Sequence, residues 1–400
     1  MKNRIRYLLL DTNDAVGGVV RVHLMTLERL NRSKFDVHAA VLRGPLLPQF
    51  QAIPGVTLWP VNVGTKPASH CSGWRSRMFD AVSAIALLSS AFRLSAFCRR
   101  AGIQVIHTSD KKRSLLLTLL LHRLTKIPYL YHIHGNYVDY QANRLALAHA
   151  AIIVANSGEI RREFIQSLGP SMDRIRVLYN GIDAERFRPG VSSEIRSEIG
   201  AAPDEVIIGM SSRLAPDKGQ DTFLRAAAKV ASQEPRARFV IIGDDSVFSD
   251  NNGYAATLRE LANQFALADH VAFLGFRQDM PAVYNGLDIV VNAAWMEAFG
   301  LVVVEAMACG KVVVGTHAGG IPEIISDGLD GFLFPVNDDS ALAEVLLRLV
   351  RQPDLRRRIG QAARRAVLER FSVETHVLSV EKVLAEIAGG ESGISLKRTI

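Results

Sequence analysis

Short runs of apolar and β-branched residues alternate along most of the chain with longer stretches whose apolar positions recur every three to four residues. In the first half the short runs are IRYLLL (5–10), DVHAAVL (36–42), IQVIHTS (103–109), PYLYHIH (128–134), AIIVANS (151–157) and RIRVLY (174–179). The second half carries VIIGMSS (206–212), RFVIIG (238–243), HVAFLG (270–275), DIVVNA (288–293) and KVVVGT (311–316). Hydrophobicity this continuous predicts strands covered on both faces, as parallel sheets require. Helix-length stretches such as 18–30, 218–231 and 254–266 fall between them. The alternation, repeated in two blocks, predicts two doubly wound α/β domains. RFRPG (186–190) breaks the periodicity between the blocks. The expected division is therefore 1–185 and 186–370. Residues 371–388 read as a C-terminal helix, a candidate for crossing back to the first domain, and 389–400 as a mobile tail. Two such domains facing each other leave a cleft, a favoured place for ligands.

Composition narrows the class. The chain has 400 residues, 48% hydrophobic and 22% charged, which excludes a disordered, collagenous or coiled-coil protein. Cys71, Cys98 and Cys309 share no close spacing, so neither a disulfide framework nor a zinc ribbon is indicated. The net charge of +7 conceals a split: residues 1–185 hold 24 Lys/Arg against 12 Asp/Glu, and the remainder holds 23 against 28. That asymmetry suggests one half faces something anionic. The N-terminus is basic and then apolar, but the run ends at Asp11 without a cleavage site, so it reads as a buried first strand. The longest apolar stretches, 81–92 and 115–121, fall short of the roughly 20 residues a spanning helix needs. The expectation is a soluble or peripheral protein of a reducing compartment: cytoplasmic, with the inner face of the cell membrane as a candidate surface.

The densest chemistry lies in NAAWMEAFGLVVVEAMACG (292–310). Glu297 sits where a strand ends, which is where open α/β sheets bind ligands. Gly300 permits close backbone approach, and the helix predicted after it offers free N–H groups to an anion. Glu305, about one turn into that helix, suits a ribose diol, because a carboxylate accepts two hydrogen bonds. In SSRLAPDKG (211–219) a second strand end presents Arg213 and Lys218, a bidentate phosphate ligand and a point charge. Gly17 and Gly18 read as a loop before an amphipathic helix. His132 and His134 alternate onto one face of a strand end, yet nothing supplies further metal ligands. Ser157 reads as a helix cap and Cys309 as a small buried hydrophobe. No D-x-D triplet occurs, and Asp244-Asp245 reads as a strand-end turn.

These segments together resemble the retaining glycosyltransferases of family 4, which have the GT-B fold. The two glutamates eight apart match that family's signature, and SSRLAPDKG matches its Arg–Lys turn. DRIRVLYNGIDAERFRP (173–189), FLGFRQDMPAVYNGLDIVVN (273–292) and AGGIPEIISDGLDGFLFPVND (318–338) follow in the family's order. The resemblance implies two Rossmann-like domains and transfer of a sugar from a nucleoside diphosphate, UDP- or GDP-linked, with retention of configuration. It implies Arg213 and Lys218 as the diphosphate clamp, Glu297 on the sugar hydroxyls and Glu305 on the ribose. The backbone of Ala298, Phe299, Gly300 and Leu301 would complete the cradle, with Gly17 and Gly18 closing over the phosphates. His134 would face the reacting centre, and Arg277 would mark the nucleobase position. No metal and no cofactor are expected, since cationic side chains stabilise the leaving group.

The acceptor expected from the family is a glycan or lipid-linked molecule, in cell-envelope or exopolysaccharide synthesis. The basic window 66–113, with Lys66, Arg75, Arg77, Arg93, Arg99, Arg100, Lys111, Lys112 and Arg113 against Asp80 and Asp110, offers a candidate surface for anionic lipid. No nucleic-acid module appears. A nucleotide-sugar epimerase of the same architecture, and a glycan- or partner-binding protein without turnover, are the competing readings.

Overall fold

The computed structural model describes residues 4–15, 17–64, 74–109, 111–135, 144, 147–169, 174–245 and 253–389, with 74–80 described by backbone alone. Cys71, Lys66, Asp110, the side chains of Arg75, Arg77 and Asp80, and the tail 390–400 lie outside that description. The chain divides into two units. Met1–Gly181 with Val373–Ile400 forms the first, and Ile182–Ser372 the second.

The first unit is built on β1 (Ile5–Asp11), β2 (Phe35–Leu42), β3 (Val56–Val61), β4 (Val105–Ser109), β5 (Tyr129–Ile133), β6 (Ile152–Ala155) and β7 (Ile175–Val177). Its helices are α1 (Gly18–Arg29), α2 (Leu47–Gln51), α3 (Trp74–Ala101), α4 (Lys112–Thr125) and α5 (Gly158–Leu168). All pairings are parallel, in the order β3-β2-β1-β4-β5-β6-β7. The second unit has a short helix α6 (Ile195–Glu198), then β8 (Val206–Ser211), α7 (Gln220–Ala231), β9 (Ala237–Ile242), α8 (Tyr254–Gln264) and β10 (Val271–Gly275). It continues with α9 (Met280–Gly286), β11 (Ile289–Asn292), α10 (Leu301–Ala308), β12 (Val312–Thr316), α11 (Ile321–Ile324), β13 (Phe332–Phe334), α12 (Asp339–Arg351) and α13 (Pro353–Arg370). Its order is β10-β9-β8-β11-β12-β13, again parallel throughout.

Both sheets are doubly wound. Chain order reverses direction between β1 and β4 in one sheet and between β8 and β11 in the other, and such a reversal opens a crevice beyond the strands' carboxyl ends. Every apolar run read as a strand forms one. The sequence reading missed β3 and β13, both at sheet edges. β3 carries Pro60, which cannot donate to a ladder and is tolerated at an edge. Apolar side chains fill both faces of the second sheet, with Phe223, Phe239 and Leu346 on one side and Tyr284, Val304 and Phe371 on the other.

The last helix, α14 (Val373–Ala388), belongs to the first unit, where Val377, Val380, Leu384 and Ile387 enter a core shared with Leu27, Val37 and Leu130. The first and last residues of the second unit run side by side: the Ile182 N–H donates to the Phe371 carbonyl at 2.8 Å, and Ile182 pairs with Ser372.

The structure corrects one expectation. The run at 81–92 is part of the 28-residue α3, and its segment Ala81–Ala101 has the length and mean hydropathy, 1.6, of a membrane-crossing helix. Arg93 interrupts the run in sequence without interrupting the helix.

Candidate active site

In the second unit three loops meet at the strands' carboxyl ends. The loop after β8 makes a 3₁₀ turn over Pro216–Lys218 and reaches α7 through Gly219 in the left-handed region, φ 72°. A Cβ at Gly219 would lie 2.1 Å from the Ala293 carbonyl oxygen, so only glycine lets this loop close on the end of β11. The Trp295 N–H donating to the Asp217 carbonyl at 2.9 Å fastens the same contact. The third loop, after β12, approaches through Gly320, whose N–H donates to the Glu297 carbonyl at 2.8 Å.

Lys218 and Glu297, 79 positions apart, are brought into an ion pair of 2.8 Å, with side chains 15% and 21% exposed. Arg213 lies 3.3 Å from Asp217. Its loop is braced by Gln220, whose amide donates to the Arg213 carbonyl and the Ser212 hydroxyl. Two cations and two carboxylates thus stand at the β8/β11 reversal. A partly exposed pair contributes little to stability, on the order of 0–1 kcal/mol, so its exchange for a pair with a bound anion costs little.

Gly300 opens α10 with φ 112°, and a Cβ there would lie 2.6 Å from Ile321 Cδ1. No side chain caps this helix, and its first turn holds no acidic residue, which leaves N–H groups for an anion. Phe299, buried against Phe371, and the half-buried Ala298 and Leu301 flank it. Glu305 is 4% exposed and accepts a hydrogen bond from the Tyr284 hydroxyl at 2.9 Å. A carboxylate so deep in an apolar cluster is costly for a purely structural side chain. Arg277 directs its guanidinium to Asp279 and Glu198 at 2.8–3.0 Å, which raises its pKa further and spends its donors within the protein.

The remaining sequence-predicted residues lie in the first unit. Gly17 is the N-cap of α1 with φ −135°, and Gly18, read as loop, is already helical. A side chain at Gly17 would meet nothing within 4 Å, so neither backbone nor space requires glycine there. His134 follows β5 in a buried cluster that sequence reasoning missed. Its ring lies 3.9 Å from that of His132 and 5.5 Å from that of His23 (centroid distances). His23 hydrogen-bonds Asp11 through Nδ1 at 2.7 Å, and both are buried. His107 bridges Tyr7 at 2.9 Å and His132 at 3.3 Å. His376, from α14, bonds Thr26 at 3.0 Å and the Tyr179 carbonyl at 2.8 Å.

Burial, then the charge of neighbouring imidazoles, holds His107, His132 and His134 well below the ordinary histidine pKa. Burial pushes His376 down to about 4. Burial alone would raise the Asp11 carboxyl, but hydrogen bonding and charge from His23, with help from Asn13, hold it below its usual range. Among the described residues no group of three His, Cys, Asp or Glu is arranged to hold a metal ion. Ser157 caps α5, accepting from the Ile160 N–H at 3.2 Å. Burial raises the Cys309 thiol to about 12, which leaves it an inert packing group. Asp244 and Asp245 follow β9, and Asp245 accepts from the Gly253 and Ala255 N–H groups at the start of α8.

Two parallel sheets of this strand order, with cationic loops at one reversal, define the class. The chain belongs to the family 4 glycosyltransferases, enzymes of the GT-B fold. Residues 17–181 match the model described as a glycosyl transferase 4-like domain, and residues 191–366 the model of glycosyl transferases group 1. The chain is 28% identical over 383 residues to the D-inositol 3-phosphate glycosyltransferase of Saccharomonospora viridis, covering 90% of this chain and 87% of that one. It is 26% identical over 310 residues to the N-acetyl-alpha-D-glucosaminyl L-malate synthase of Bacillus anthracis, covering 75% and 79%. In structure it is similar to HepE of Anabaena, crystallised with UDP and glucose, with a TM-score of 0.79, 23% identity and coverage of 96% and 100%. At that identity the likeness is one of fold.

Proposed function

We propose that this glycosyltransferase takes its sugar from a nucleoside diphosphate, UDP- or GDP-linked, and transfers it with retention to a hydroxyl of a glycan or lipid-linked acceptor. The observation that carries the reading is the Lys218–Glu297 pair, with Arg213 beside it, at the β8/β11 reversal and next to the uncapped start of α10. On this reading Lys218 leaves Glu297 for a diphosphate oxygen and joins Arg213 there, and Glu297 is released to hydrogen-bond the sugar hydroxyls. The N–H groups from Ala298 to Leu301 add the positive end of a helix dipole. Glu305 binds the ribose, exchanging the Tyr284 hydroxyl for the diol. The Arg277 side chain is committed to Asp279 and Glu198, so its part near the base falls to its backbone.

The anomeric carbon–oxygen bond to the diphosphate breaks while the acceptor oxygen bonds the same face, and the acceptor's proton passes to the leaving phosphate oxygen. The cations stabilise the charge that develops, so neither metal nor cofactor is needed. Gly17 and Gly18 keep the phosphate role that the family resemblance gives them, and the fold of the first unit does not by itself require a glycine at 17. His134, held neutral by burial, serves as a hydrogen-bonding group toward the sugar. The HepE neighbour, crystallised with UDP and glucose, supports a nucleotide donor, and the inositol 3-phosphate and malate relatives support glycosyl transfer. The role suits cell-envelope or exopolysaccharide assembly on the cytoplasmic side.

The test is a panel of UDP-, GDP- and ADP-sugars read by melting temperature and by product formation, with and without EDTA. One donor should raise Tm and be consumed with equal rate in EDTA, giving a product of the donor's own anomeric configuration. Isomerisation of the sugar without acceptor would replace transfer by epimerisation. Binding without consumption, whatever the acceptor, would favour a binding protein.

A further inference from the structure

Large apolar side chains are exposed in one organised row among the described residues, and that row lies on α3. Val82, Ile85, Leu88 and Phe92 are 57%, 66%, 45% and 61% exposed and follow one another at spacings of three, three and four. That spacing puts them on a single helical face. The opposite face is committed to the protein. Ala91, Leu94, Ser95 and Cys98 are buried, and Phe97 stacks on Trp59 with ring centroids 4.6 Å apart. Nearer the helix start, the Ser90 hydroxyl donates to the Asn62 carbonyl, and Gly64 lies so close that a Cβ there would be 2.5 Å from Ser83 Cα. With its second half packed in this way, α3 has the composition of a crossing helix but not the freedom to cross.

Cations outnumber carboxylates around the row, where Asp80 precedes it on the same helix in sequence and Asp14 pairs with Lys111 at 3.5 Å. From Ala81 to Gly135 the sequence holds one acidic residue, Asp110, against Arg93, Arg99, Arg100, Lys111, Lys112, Arg113, Arg123 and Lys126. Arg93 is exposed beside Phe92, and Arg99 and Arg100 are exposed at the end of the same helix. Arg113 donates to the carbonyl of Gly64, the residue that touches Ser83, so the exposed Lys111 and Lys112 stand at the level of the row's first turns. An apolar stripe fringed mainly by cations matches the boundary between acyl chains and anionic headgroups.

We propose that α3 docks the protein on an anionic lipid bilayer, lying in the interface plane with Val82, Ile85, Leu88 and Phe92 inserted and the flanking cations on the headgroups. The proposal is independent of the donor assignment, since it concerns where the first unit rests and not what the second unit binds.

The experiment is vesicle flotation of the whole chain with phosphatidylcholine alone and with about 30 mol% phosphatidylglycerol added. Binding should be confined to the anionic vesicles and weaken with salt. Ile85→Ser combined with Phe92→Ser should lower the bound fraction by roughly tenfold or more. Lys111→Gln combined with Lys112→Gln should lower it by about fivefold to twentyfold. Both pairs are exposed, so melting temperature should be unchanged, and transfer to a water-soluble acceptor should continue. Equal negligible binding to both vesicle types overturns the proposal, as does full binding by the serine variant. Sedimentation supplies the competing outcome: a dimer that the serine variant dissolves, with no vesicle binding by the parent, would make this face an interface between two copies.

Discussion

The same topological point is furnished differently in the two units. At the β8/β11 reversal stand half-buried ion pairs, Lys218–Glu297 and Arg213–Asp217, which on the proposed reading re-pair with an incoming anion. At the β1/β4 reversal and along β5 stand buried imidazoles, His23, His107, His132 and His134, with a single carboxylate, Asp11, bonded to His23. One arrangement is charged, partly exposed and cheap to rearrange; the other is buried and costly to disturb. A doubly wound sheet supplies a crevice and leaves its chemistry to the few residues at the strand ends.

The largest effect expected from breaking this contrast is on the rate. Lys218→Ala should lower kcat by about a hundred- to a thousandfold with little change in Tm, measured at saturating donor. A normal rate would remove Lys218 from the proposed phosphate site. In the first unit the same operation should show up as lost stability. His23→Ala leaves Asp11 buried without its imidazole, and unfolding in denaturant should report a loss of about 3 kcal/mol.

Acid should separate the two units further. Burial lowers the pKa of His107, His132, His134 and His376, so below about 6.5 the unfolded chain binds more protons than the folded one. Stability is therefore full above that pH and falls as pH drops toward the folded values, by up to about 1.4 kcal/mol per pH unit for each group. Asp11, whose pKa is lowered, loses its contribution only below the carboxylate range, so the imidazoles act first. The second unit has His270 and His317, neither of them buried. Hydrogen exchange at about pH 5.5 should accordingly expose β1, β4 and β5 while β8, β11 and β12 stay protected; equal loss in both sheets would contradict the contrast. The smallest effect is the sharpest: Tyr284→Phe removes one hydrogen bond from Glu305 and should cost about 1 kcal/mol in Tm-derived stability. On the proposed ribose role, donor should restore much of that loss.

Much of this is legible in the sequence. Continuous apolar runs gave every strand buried on both faces, because burial on both faces leaves no polar alternation to confuse the pattern. The edges escaped: β3 has Pro60 and exposed positions, and β13 is three residues long. The apolar stretch 81–92 falls short of a crossing length because Arg93 ends it in sequence, whereas the helix that holds it continues to Ala101. Arg213, Lys218, Glu297 and Gly300 were legible as strand-end chemistry, whereas the Lys218–Glu297 pairing arises from loop closure through Gly219. Of the imidazole cluster only the alternation of His132 and His134 is a local signal. His23, His107 and His376 come from α1, β4 and α14, up to 353 positions apart, and no spacing rule joins residues gathered that way.

The placement of α14 bears on how the molecule is made. The first unit is interrupted: its sheet is complete by β7, but the helix that carries Val377, Leu384 and His376 into its core is encoded after the whole second unit. During synthesis the second unit can close on itself while the first, though older, waits with an uncovered apolar face. The order of maturation is then the reverse of the order of translation, and a chain cut short before Val373 would carry a finished second unit behind an unfinished first one.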